Sequence, residues 1–240
     1  MNRLAFSGPT RSLLVIVPVM TPPLTEMPNM DGPESQEEYE MSKEKIIRKF
    51  DKQAKFYEVR RMRKTESEWR EKLIGSAKGR VLEVSVGAGA NFPFYSKDVQ
   101  VIAVDFSMEM LKKAKQAAAE SAIPAEFIHS DVESLSFPER SYDTIVSTLS
   151  FCGYEDPIKM LSSFQKWCKQ DGRILLMEHG ISSSRWVGHL QTAADPIFKK
   201  LIGCHLNRDI VQIVQESNVR IHKMEHYMLG MVHLIWAAPK

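Results

Sequence analysis

The stretch that decides the fold is residues 79–91, Gly-Arg-Val-Leu-Glu-Val-Ser-Val-Gly-Ala-Gly-Ala-Asn. Arg80 to Val84 predicts a short buried strand, because Val81, Leu82 and Val84 supply β-prone bulk in a run too short for a helix. The chain then enters a turn built on Gly87 and Gly89. Glycine there permits positive φ and lets a ligand approach the backbone where a Cβ would collide. Glu83 stands where strand gives way to loop and is expected to face a crevice. A carboxylate there repels a phosphate but accepts hydrogen bonds from an ammonium group or sugar hydroxyls.

Downstream, Val101 to Asp105 reads as a second apolar strand ending in an acid. Asp105 follows Glu83 by roughly 20 residues, the interval at which a doubly wound fold places a carboxylate on a ribose. Ser107 to Glu120 predicts a helix with Ser107 as N-cap and Glu109 in its first turn. Glu126 to His129 is a third strand, followed by Asp131 and Val132. Tyr142 to Ser147 is a fourth, with Thr148, Leu149, Phe151 and Cys152 at its carboxyl end. Pro157 to Lys169 predicts a helix, Asp171-Gly172 a turn, and Arg173 to Glu178 a fifth strand running into His179. Trp186 to Ile202 is helical with an expected break at Pro196, and Asn207 to Glu216 is a further helix. Val219 to Tyr227 and Met231 to Ala237, separated at Gly230, predict an antiparallel hairpin. The fold class is therefore α/β: a Rossmann-like doubly wound seven-stranded sheet with a reversed C-terminal β-hairpin. Its ligand crevice is expected at the strands' carboxyl ends.

Upstream, Ser42 to about Arg63 reads as an amphipathic helix capped by Ser42, with Ile46, Ile47, Phe50, Ala54 and Tyr57 on one face. The basic run Arg60 to Lys64 reads first as a solvated face, with contact to anionic lipid as the alternative. Trp69 to Ile74 is a second short helix. Residues 1–40 differ from the rest. Pro22, Pro23, Pro28 and Pro33 oppose regular structure, and Glu34 to Glu40 is acidic. Arg3, Arg11 and the apolar Leu13 to Met20 share features with targeting segments, yet a disordered extension before a domain over 41–240 is the expectation. Two glutamate codons just ahead of Met41 would make Met41 the native start in a bacterial source.

With 240 residues, 43% of them hydrophobic, the chain can bury one substantial core. A net charge of +2 argues against nucleic acid as the main partner. Cys152, Cys168 and Cys204 lack CxxC spacing and cannot all pair, which points to free thiols in a reducing compartment and a cytoplasmic location. No apolar run approaches the roughly 20 residues that span a bilayer, leaving peripheral membrane contact open. Oligomeric state is not readable.

Taken together, these residues resemble a class I S-adenosylmethionine-dependent methyltransferase over about Ser42 to Lys240. Glu83-Val84-Ser85-Val86-Gly87-Ala88-Gly89 is similar to that family's first motif, acid-x-Gly-x-Gly-x-Gly, with Ser85 in place of the first glycine. The resemblance implies S-adenosyl-L-methionine as cofactor. Glu83 would anchor its methionine part through its environment or a water, and Gly87 and Gly89 would let the backbone approach it. Asp105 would bind the ribose hydroxyls, Phe106 would pack on the adenine, and Asp131 would accept from the adenine amine beside Val132. Thr148 and Leu149 would line the sulfonium region, and Tyr57 would close over the cofactor. Residues 90–95, 176–179 and 203–208 further resemble a subgroup that includes phospholipid, quinone and small-thiol methyltransferases. That implies a small-molecule or lipid acceptor.

Methyl transfer from a sulfonium is an in-line displacement, so alignment and desolvation dominate, and a base is needed only if the acceptor must lose a proton. His179 is the candidate base. Phe151, Cys152 and Arg208 are candidate substrate contacts, with Cys152 read as pocket lining rather than nucleophile. Cys204-His205 with His179 lacks metal-ligand spacing, so no metal is expected. A nicotinamide-dependent oxidoreductase would want Gly-x-Gly-x-x-Gly, whose positions hold Ser85, Gly87 and Ala90. A non-catalytic S-adenosylmethionine-binding protein is the alternative from a different class.

Overall fold

The computed structural model describes residues 33–60 and 64–240. The expectations for residues 1–32 and for the basic run at 61–63 lie outside them. One seven-stranded sheet forms from β1 (Arg80–Val84), β2 (Gln100–Asp105), β3 (Ala125–His129), β4 (Tyr142–Thr148), β5 (Cys168–His179), β6 (Arg220–Tyr227) and β7 (Val232–Ala238). The order is β3-β2-β1-β4-β5-β7-β6. The first five are parallel, and β7 runs antiparallel to both β5 and β6. The expected doubly wound sheet with a reversed hairpin is what the chain adopts.

The inner strands β1, β2, β4, β5 and β7 are mostly buried on both faces, as a sheet sandwiched between helices requires, while the edge strands β3 and β6 are more exposed. Period-two alternation divides β1 between two cores. Leu82 and Val84 join Ile102, Ile145, Phe151 and Phe164 on one face. Val81 joins Leu73, Phe92, Leu111 and Val146 on the other. Each such aliphatic side chain contributes about 1.5–3 kcal/mol by leaving water.

Among the described residues six α-helices flank the sheet: α1 (Pro33–Arg60), α2 (Lys64–Ile74), α3 (Met108–Glu120), α4 (Pro157–Trp167), α5 (Arg185–Ile202) and α6 (Ile210–Glu216). Ser107 caps α3 as expected, its Oγ accepting from the Met110 N–H at 3.2 Å. Several boundaries differ from the sequence reading. α1 starts at Pro33 rather than Ser42, so the acidic run is helical. Proline is well suited to a first helical position, and acids near a helix N-terminus complement its dipole. α5 is unbroken at Pro196; the proline sits on the exposed side, next to Asp195, which ties the helix to the loop after it. Asp171-Gly172 lies inside β5 rather than in a turn, where β4 and β5 shift register between Tyr142 and Thr144. α6 begins at Ile210 rather than Asn207, capped by Asp209.

Candidate active site

At the carboxyl ends of β1, β2 and β4, beneath α1, lies a cavity of about 350 Å³. Its floor is the turn after β1. Ser85, where the family motif has glycine, holds φ at +50°, followed by Gly87 at +55° and Gly89 at +78°. A left-handed backbone is therefore held here by a serine, whose Oγ lies 3.1 Å from the Tyr154 hydroxyl. The two glycines do different work. A Cβ on Gly87 would meet nothing within 4 Å, so Gly87 opens onto the cavity. A Cβ on Gly89 would lie 2.9 Å from Ala114, Ala117 and Phe92. Gly89 thus serves the close approach of α3 and does not line the cavity, contrary to its expected role.

Asp105 ends β2 at the cavity wall. Its Oδ2 accepts from the Gly87 N–H and its Oδ1 from the Ser107 N–H, both at 2.8 Å. A carboxylate oxygen has further lone pairs, so both remain able to accept from a vicinal diol. Burial lifts this carboxyl to about 6, against the two backbone donors that favour its charged form. Phe106 lines the same wall, with its ring edge-on to Phe50 at 5.3 Å between centroids. Asp131 lies beyond β3. Its Oδ1 caps a short 3-10 turn by accepting from the Glu133 N–H, and its Oδ2 takes Lys43 Nζ at 2.6 Å. Val132, Thr148, Leu149, Cys152 and Tyr57 also line the cavity. Leu149 holds φ at +57°, fixed by its N–H to the Met177 carbonyl at 2.7 Å.

Other expected site residues lie elsewhere. Glu83 does not reach the cavity. The pleat turns it with Val81 toward α2, where Oε1 accepts from Asn91 and Oε2 from the Tyr95 hydroxyl, each at 2.8 Å. Burial pushes it up to about 7. Phe151 is a core residue packed on Tyr154 and Phe164, and only its N–H is engaged near the site, donating to Glu178 at 3.1 Å. His179 is outside the cavity lining. Burial and then the Arg60 guanidinium hold its imidazole down at about 4, hence neutral at pH 7. Arg208 is also outside, its guanidinium on the Tyr154 carbonyl. His205 engages Asp195 at 2.9 Å.

The structure brings to the site residues for which the sequence indicated no role there. Arg70 on α2 is buried at the cavity edge, with Nη1 donating to Asn91 Oδ1 at 2.7 Å and Thr148 Oγ1 at 3.1 Å. Asn91 in turn donates to Glu83, so the motif's acid holds the arginine in place through one amide. The Nε of Arg70 is buried without a partner. Burial weakens its hold on the proton while Glu66 and Glu83 strengthen it. A buried donor without an acceptor is costly. Cys204, after α5, lies against Cys152; the contact holds Cys152 in its thiol form and draws Cys204 toward thiolate. The spacing of Arg70 to Leu73 and Ile74, three and four residues on, puts it on the apolar face of α2 and was the available signal; Cys204 stood in the sequence only within the 203–208 resemblance.

α1 forms the roof. Ile46, Ile47, Phe50 and Tyr57 line the cavity, and Ala54 packs on Ala88 and Met110. The apolar face read from the sequence is therefore the face turned to the site. Asp51 fastens it by accepting from the Ser107 hydroxyl at 2.5 Å. The set of groups suits a zwitterion with a diol: an acid for hydroxyls, the bare backbone of Gly87, and the Arg70 guanidinium at the cavity edge.

Residues 82–176 match a family model described as a methyltransferase domain. Over 150 residues the chain is 27% identical to a phosphatidylethanolamine N-methyltransferase of Cereibacter sphaeroides, covering 62% of this chain and 73% of that one. Over 146 residues it is 30% identical to a thiol S-methyltransferase of Rattus norvegicus, covering 57% and 58%. The chain thus spans less than two thirds of the second relative's length. A structure of a SAM-dependent methyltransferase from Aquifex aeolicus superimposes with a TM-score of 0.53 at 17% identity, over 71% of this chain and 89% of that one. The chain has the class I S-adenosylmethionine-dependent methyltransferase fold, and its residues 82–176 are similar to the methyltransferase-domain family.

Proposed function

We propose that the protein transfers a methyl group from S-adenosyl-L-methionine to a small or lipidic acceptor. The observation that carries this is the convergence of Gly87, Asp105 and the Arg70 guanidinium on one cavity. Asp105 would accept from the ribose hydroxyls, Arg70 would pair with the methionine carboxylate, and Phe106 with Asp131 and Val132 would hold the adenine. When bound, the sulfonium supplies an activated methyl group with a good leaving group. The chain's own contribution is alignment and exclusion of water: α1 covers the site with Phe50 and Tyr57, and Leu149 is held at a fixed backbone angle beside Thr148.

The cavity walls are mainly apolar, with Ile46, Ile47, Met110 and Leu149 among them. This suits an aliphatic or aromatic acceptor, and the phospholipid and thiol substrates named for the relatives agree with it. A cytoplasmic location is supported by the free state of Cys152, Cys168 and Cys204. No helix among the described residues is long and apolar enough to cross a membrane.

The test is a partition assay with methyl-labelled S-adenosylmethionine, offered in turn phosphatidylethanolamine vesicles, a small aromatic thiol and host extract. Label entering the organic phase is expected. Label confined to macromolecules would contradict the acceptor class, and none anywhere would favour a binding protein without catalysis.

A further inference from the structure

α5 is built inside out. The residues it turns toward the protein are Gly188, Gln191 and Asp195, at helical spacing and buried or half-buried. Gln191 bonds the Gly180 and Leu206 carbonyls and the Ser182 N–H, and Asp195 accepts from the Leu206 N–H and pairs with His205. The outer stripe is apolar: Trp186 is 84% exposed, Leu190 71%, Ile197 60% and Leu201 66%. This reverses the pattern that a helix packed on a soluble core follows. At the N-terminal end of α5 the β6–β7 turn adds exposed Met228 and Leu229, and the Leu229 carbonyl accepts from the Ser183 N–H at 3.0 Å, which fixes the turn beside the helix.

The charges on this surface have one sign. Arg185, Lys199 and Lys200 are exposed, while the helix's acid, Asp195, is buried and satisfied. An amphipathic helix with an apolar stripe carrying tryptophan and flanked by cations is suited to lie in the plane of an anionic lipid surface. The surface also adjoins the site. Lys49 of α1 donates to the Lys200 carbonyl at 2.7 Å, and Gly203 and Cys204, which follow α5 directly, line the cavity. We propose that the outer face of α5, with the Met228–Leu229 turn, docks on anionic phospholipid bilayers and sets the cavity mouth at the lipid interface. The docking stands by itself; only its use in delivering a lipidic acceptor rests on the function proposed above.

The full chain is tested by flotation with vesicles of pure phosphatidylcholine or of equimolar phosphatidylcholine and phosphatidylglycerol. Binding to the anionic vesicles is expected to be at least ~10-fold tighter, and Lys199→Glu with Lys200→Glu to abolish that preference. Trp186→Ser combined with Leu190→Ser and Leu201→Ser is expected to weaken binding by at least ~10-fold. Calorimetric affinity for S-adenosylmethionine should not change in either variant, which separates docking from cofactor binding. Bromine-labelled acyl chains should quench the wild type more than Trp186→Phe. The proposal is overturned if the wild type does not float with anionic vesicles, or if the triple variant floats equally well. It is equally overturned if sedimentation shows the stripe buried between two copies that the triple substitution separates. A protein that docks yet methylates no lipid would uphold the docking and sink the acceptor reading alone.

Discussion

The Gly87 N–H donates to Asp105 Oδ2 at 2.8 Å, joining the turn after β1 to the end of β2 across the cavity floor. Two strands adjacent in the sheet thereby fix a carboxylate next to backbone that bears no Cβ. The same turn holds two glycines with opposite duties, and substitution separates them. Gly87→Ala places a methyl group in open cavity at a cost of about 1–2 kcal/mol for the left-handed backbone. It should leave the fold intact and weaken S-adenosylmethionine binding about tenfold or more. Gly89→Ala drives a methyl into α3 and Phe92. It should cost about 3 kcal/mol or more, lowering Tm by roughly 6–12 °C. Thermal melts with calorimetry distinguish the two.

Arg70 has a counterpart test. Arg70→Lys keeps the charge but loses the fork that reaches Asn91 and Thr148 together. Affinity for S-adenosylmethionine is expected to fall about tenfold or more. For the decarboxylated cofactor analogue the wild type and the variant should bind alike. An equal loss with both compounds would show that the arginine acts on the fold rather than on the carboxylate.

Cofactor affinity should depend on pH through Asp105. Its folded value of about 6 is raised by burial from the ordinary 3.8. For a raised carboxyl, the stability contribution is present below the unfolded value and is lost as pH rises through the folded one. Binding to ribose hydroxyls favours the ionised form and offsets that loss. Affinity is therefore expected to be maximal above about pH 7 and to fall by up to ~10-fold per unit below 6. The rise in Tm on adding cofactor should be larger at high pH than at low. Asp105→Asn should bind poorly with a flat profile over this range.

The cysteines test the direct displacement. Cys152 is held as a thiol and Cys204 is drawn toward thiolate. Iodoacetamide should therefore modify Cys204 faster than Cys152, read by peptide mass spectrometry. Cys152→Ala removes a wall contact of about 1 kcal/mol, and kcat should stay within about fivefold. A dead Cys152→Ala that folds and binds cofactor would indicate a covalent route through the thiol.

Most of the strands were legible because each is a short apolar run bounded by its own breaker, and Gly230 isolates the final hairpin. Asp105 and Gly87 were legible for the same local reason, since a strand end and a Cβ-free turn impose their requirement within a few residues. Glu83 was misplaced because the side of the sheet a strand residue faces depends on its neighbours. The partners that claim it, Asn91 and Tyr95, enter from the loop that follows. Gly89 was misread because its close contacts come from α3, which is distant in sequence. The start of α1 was lost to reading Pro33 as a breaker, when proline at a first helical position starts a helix as readily as it ends one. The inverted polarity of α5 was present in the sequence, but only the contacts of Gln191 and Asp195 show which face is inner.

The central claim is that this cavity holds S-adenosylmethionine through Asp105. Isothermal titration of S-adenosylmethionine into the wild type and Asp105→Ala, with circular dichroism confirming equal folding, tests it most directly. Saturable binding by the wild type is expected. Losing a charge-assisted acceptor to the ribose should weaken the variant about 100-fold. Equal affinity in the two proteins, or no heat from the wild type, would contradict it.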